Sequence, residues 1–143
     1  MDVRNPTIVL HYRSRADSLF CAARDLSTLD ADLYGPALGV IAVHGAIALA
    51  DAVVVACEGD RCRGDDHRES ARRIRSWCSA KNVAETGIKH FDWLIERKTH
   101  FSYDDRRVEP YELQMAKVKM DQFFAWAFST FPAIAQMKET SDA

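Results

Sequence analysis

Residues 36–57, PALGVIAVHGAIALADAVVVAC, decide how this chain folds. The stretch is apolar on nearly every side of a helix, and its only side chains that carry charge are His44 and Asp51. These two are seven residues apart, two helical turns, so they project from nearly the same face. An ionisable group inside an apolar helix is costly without a partner, so the pair marks a polar core contact, a pocket or a dimer seam. At 1.5 Å per residue the stretch spans about 33 Å, enough to raise a membrane span. Its many small residues, its two ionisable groups and the lack of a companion span favour a central helix wrapped by other helices.

Working outward, the 3.6-residue period recurs. Asn5-Pro6 opens a first helix that runs to about Leu26. Its inward set is Ile8, Val9, Tyr12, Ala16, Leu19, Phe20, Ala23 and Leu26. The segment 27–35 reads as a connector, and Gly35-Pro36 as the start of the second helix, which Gly59 stops. Asp66 with Glu69, and Asn82 with Glu85, have capping-box spacing and open the third and fourth helices. Glu109-Pro110 starts the last, with Leu113, Ala116, Met120, Phe123, Phe124 and Ala127 inward. No useful strand alternation appears. The expectation is an all-α, up-and-down antiparallel bundle of four to five helices in one domain, residues 1–143.

The 143 residues are 48% hydrophobic and 28% charged, ordinary for a globular protein. The net charge of -2 gives no whole-protein field for nucleic acid, so any basic patch is local. Cys21, Cys57, Cys62 and Cys78 form no CxxC pair, and charge interrupts the apolar run near Met1. The expectation is a cytoplasmic chain with reduced thiols, no leader and no membrane partner.

Two polar constellations remain. Residues 59–75, GDRCRGDDHRESARRIR, hold Arg61, Arg63, Arg68, Arg72, Arg73 and Arg75. Arg68, Arg72 and Arg75 share a helix face, and guanidinium forks suit phosphate. Asp60, Asp65, Asp66 and Glu69 lie among them, so an internally paired, solvated face is the alternative. Residues 96–107, ERKTHFSYDDRR, collect Arg97, His100, Tyr103 and Arg106 at a helix end. They form either a polar turn with one buried tyrosine or a site where Tyr103 and a base face a groove. Cys57, Cys62 and His67 are evenly spaced but lack a fourth ligand at zinc spacing, so no metal and no cofactor is expected.

VHGAIALADAV, GDRCRGDDHRESARRI and LIERKTHFSYDDRRVEP together resemble the HEPN superfamily of small helical domains, over roughly residues 8 to 129. The resemblance implies a four- or five-helix bundle, often a homodimer. Some members are metal-independent endoribonucleases, including toxins paired with nucleotidyltransferase antitoxins; others only bind or scaffold. The ribonucleases carry Arg, four to six residues, then His, beside the last major helix. There His moves a proton and Arg steadies the phosphorane charge.

This chain departs from that pattern. Four to six residues on from Arg97 stand Ser102, Tyr103 and Asp104, and His100 comes too early. The formal matches Arg4 to His11 and Arg61 to His67 are expected by chance among 13 arginines and five histidines. The leading expectation is therefore a non-catalytic homodimeric module that binds RNA, nucleotide or a protein partner such as a nucleotidyltransferase. Its binding residues would be His44, Asp51, Arg68, Arg72, Tyr103 and Arg106. A metal-independent endoribonuclease would instead draw on His67, His100, Arg61, Arg97 and Tyr103. A purely structural dimerisation protein is the third alternative.

Overall fold

The computed structural model describes residues 1–62, 64 and 66–137. Among these residues all regular structure is helical: α1 (Pro6–Leu26), α2 (Ala31–Glu58), α3 (His67–Ala80), α4 (Ile88–Glu96), α5 (Lys98–Ser102), α6 (Pro110–Thr130) and α7 (Pro132–Ala135). The expected second helix is α2, and every other helix packs against it. Its burial is continuous from Gly45 to Ala56, which includes Asp51. By length and composition α2 could cross a membrane, yet 72% of its most apolar window is buried by its neighbours. Burying that surface is the largest favourable term in the fold.

The second helix starts earlier than the sequence suggests. Asp30 accepts a hydrogen bond from the Asp32 amide at 3.0 Å and caps α2, so most of the expected connector is helical. Pro36 lies inside the helix, one turn past the strict opening positions. The predicted stop holds: Gly59 takes φ 93 and its amide returns to Val55 O at 2.7 Å.

Glycines let α6 and the α5 region approach α2. A Cβ on Gly35 would sit 2.6 Å from Leu113 Cδ1, and one on Gly39 would be 3.2 Å from the Phe101 ring. Asp66 caps α3 through the Glu69 amide at 3.1 Å, as its spacing predicts. The Asn82–Glu85 box does not form. Asn82 has φ 54 and closes the turn after α3, while α4 begins at Ile88. Glu109 and Glu112 do form a capping box at the start of α6. All six residues expected to face inward from α6 are buried. From α1, Val9, Ala16 and Ala23 are buried, whereas Ile8 is exposed.

The aromatic-rich end of α6 needs no second chain to cover it. Phe123, Phe124 and Phe131 are buried, and Trp126 and Phe128 pack at the core margin. Trp126 Nε1 donates to Ala84 O at 3.2 Å, and Arg13 lies over the Phe128 ring at 5.2 Å. Aromatic density therefore carries no argument for dimerisation. Gly87 makes the Trp126 seat possible, since a Cβ there would lie 2.1 Å from Trp126 Cγ. Gly87→Ala should displace the indole and cost about 2–3 kcal/mol. Urea unfolding followed by tryptophan fluorescence checks this, and an unchanged midpoint would contradict the packing.

Candidate functional site

A groove of about 940 Å³ opens between the α1–α2 corner, α5, the 103–109 turn and the first half of α6. Leu26, Leu38, Phe101, Val108 and Leu113 give it an apolar lining. The polar side chains on it include His100, Ser102, Asp104 and Arg107. Its volume falls in the range of small-molecule and peptide sites.

His100 is the fixed point of this groove. It lies on α5, and its side chain is only 8% exposed. Nδ1 is 3.2 Å from Asp104 Oδ2, and Nε2 is 3.2 Å from Glu112 Oε2. The first contact is a hydrogen bond; the second is an electrostatic pair whose angle is not that of a hydrogen bond. The ring thus ties α5 and its following turn to the start of α6. Asp104 also accepts the Arg106 amide at 3.2 Å. That backbone bond, followed by the His100 contact, holds the Asp104 carboxyl below its ordinary range. Ser102 Oγ is buried without a hydrogen-bond partner.

The sequence candidates do not assemble at one place. Tyr103 is 81% exposed, so it is not a buried tyrosine, and it is absent from the groove lining. Arg97 stacks on Trp93 at 3.8 Å and donates to Trp93 O at 3.0 Å. Arg72 bonds Glu69 through both ends of its guanidinium, and Arg73 joins them at 3.2 Å. Those hydrogen bonds pull Glu69 down to about 2, so this part of the basic run is internally paired. His67 and Arg68 line a separate small cleft, and Arg61 and Arg106 are exposed and line neither concavity. Arg68, Arg72 and Arg106 therefore share no basic cleft. Arg63 and Asp65 lie outside the described residues. Among the described residues, no three His, Cys, Asp or Glu side chains are arranged to hold a metal ion.

The helix-two pair also separates. His44 is exposed, against the expectation of a core histidine, while Asp51 is 8% exposed. The two lie two turns apart along α2, and the covering neighbours leave His44 open while they close over Asp51. Asp51 takes no hydrogen bond among the described residues. Burial pushes its carboxyl up to about 6, and the Arg61 and Arg15 charges oppose that rise. Burial likewise drives the Cys57 thiol up to about 12, leaving it unreactive.

Sequence reasoning gives Glu112 no role, and it names Asp104 and Arg107 only as members of the polar turn in residues 96–107; both line the groove, as does Ser102. Glu109-Pro110 marks the start of α6, but neither the Glu109–Glu112 capping box nor the second role of Glu112 against His100 is read from the sequence. No family model matches this chain, and no curated protein or solved structure matches it either.

Two outcomes follow from this geometry. His100→Ala should cost on the order of 1–3 kcal/mol by leaving the largely buried Glu112 unpaired, read by thermal or urea melting. For Asp51 the folded pKa lies above the ordinary value of 3.8, at about 6, so the native state holds a proton that the unfolded chain releases. Its contribution to stability is full below about pH 4 and is lost as pH rises through about 6. Asp51→Asn should therefore gain on wild type by about 2–3 kcal/mol between pH 4 and pH 7, from the size of that displacement. Parallel stability curves for the two proteins would contradict it.

Proposed function

We propose that this chain is a HEPN-like up-and-down helical module that works by binding rather than by catalysis, with the groove beside His100 as its binding site. The observation that carries this reading is the state of His100: both ring nitrogens face carboxylates, Asp104 and Glu112, each at 3.2 Å. Metal-free RNA cleavage needs a proton-transfer group and a cation at one phosphate. Here the histidine is committed to holding the groove wall, and Arg97 is committed to Trp93.

The ligand that suits the groove best is an apolar segment of a protein partner. Its lining is apolar, and three acids, Asp32, Asp104 and Asp121, outnumber Arg107 and Lys117 along it. That balance disfavours a phosphate backbone. Leu29 and Val118 on the lining are exposed, as are Leu33, Tyr34 and Tyr111 beside it in the chain. A nucleotidyltransferase-type protein and a second copy of this chain are the partners that the HEPN reading brings with it, in a cytoplasmic setting.

One observation favours the ribonuclease alternative: His100, oriented by Asp104, shares the groove with Arg107. The deciding experiment incubates a mixed-sequence RNA with purified protein in chelator, beside a His67→Ala, His100→Ala double variant. No cleavage by wild type is expected. Cleavage by wild type that the double variant loses would replace the binding reading with the ribonuclease one.

A further inference from the structure

Two segments far apart in the sequence meet at a second, smaller concavity. His67 and Arg68 open α3, and Lys98 and Thr99 open α5; together with Asp66 and Ile95 they line a cleft of about 270 Å³. The cleft shares no residue with the groove at His100. Lys98 is also close enough to His44 for its charge to act on that ring.

We propose that this cleft is a phosphate-binding site, with Arg68 and Lys98 as its two charged ligands and Thr99 as a hydroxyl donor. The charge balance supports an anion. Among the described residues neither Arg68 nor Lys98 forms an ion pair, although most other arginines of the run do. Two cations on different helices turned toward one small space repel each other, and an oxyanion between them removes that cost. The single acid of the cleft, Asp66, is already engaged by the Glu69 amide at 3.1 Å. A guanidinium fork, an ammonium point charge and a hydroxyl are the donor set that phosphate oxygens accept. The volume exceeds that of a phosphate group, which leaves room for bound water or for the sugar that carries the phosphate.

The phosphate could be free, carried by a nucleotide or part of an RNA strand, and one titration separates these sources. Wild-type protein is titrated with inorganic phosphate, with a nucleoside monophosphate and with a short RNA, while NMR follows the ring protons of His44 and His67. Saturable shifts of both rings are expected, with affinity lowered at least about tenfold in Arg68→Gln, Lys98→Gln. Arg72→Gln is the control, since Arg72 is paired with Glu69 outside the cleft, and it should stay within about twofold of wild type. Circular dichroism and melting verify the fold of each variant, and the two single variants are read separately if the double one melts lower. Equal affinity for all three ligands assigns free phosphate; tighter binding of the nucleotide or the RNA assigns that source. The proposal is overturned if no ligand shifts the two rings up to about 10 mM, or if the paired substitution leaves affinity unchanged. Neither result touches the RNA-cleavage test of the groove.

Discussion

A helix without a polar face is stable in water only when it is surrounded, and α2 is such a helix. Six other helices touch it, two of them a single turn or little more. Its alanines and glycines set how near they come. Gly45 faces Leu19 of α1, while Gly35 and Gly39 face Leu113 and Phe101. The small side chains turn a long apolar rod into a surface that neighbours can approach closely, which raises dispersion contact per unit of buried area. The position of the groove follows from this wrapping, since it opens where α5 and α6 leave the first turns of α2 uncovered.

Much of that architecture is legible from periodicity. The α6 stripe, the Asp66 cap, the Glu109-Pro110 start and the Gly59 stop all rest on local chemistry, and local chemistry is what a sequence displays. Failures arose where a local signal had two meanings. Asn82 suits a helix cap and also a left-handed turn, and here the turn prevails because α3 must end before α4 can pack. Pro36 suits a helix start, yet the Asp30 cap recruits five residues ahead of it. His44 and Asp51 share a face of α2 but not a depth: one meets solvent, and the other is buried within reach of the Arg15 and Arg61 charges.

The candidate sites were less legible than the fold, for a physical reason. His100 acquires its meaning from Asp104, one turn away, and from Glu112, which belongs to the next major helix. The cleft joins residues 67 and 68 to 98 and 99, a proximity that arises because α3 packs on α4 and α4 leads into α5. Charge runs overstate such sites. In residues 59–75 the arginines look alike, but Arg72, Arg73 and Arg75 are bonded to Glu69, Glu58 and Asp92, and Arg68 is left over. Pairing partners therefore decide which member of a basic run can meet a ligand.

Arg13 links the beginning of the fold to its far end. Its guanidinium donates to the carbonyls of Ile134 and Met137, 121 and 124 residues further along, and lies over Phe128. During synthesis from the N-terminus, α1 and α2 can pair early because they adjoin in the chain. The half-buried Arg13 then has only Asp17 of its own helix, at 3.3 Å, as an oxygen partner until residues 134–137 emerge from the ribosome. The bonds from α1 to this last described stretch thus form only after residues 134–137 are made, and a nascent chain stalled before residue 128 carries a paired helical hairpin with one edge still open.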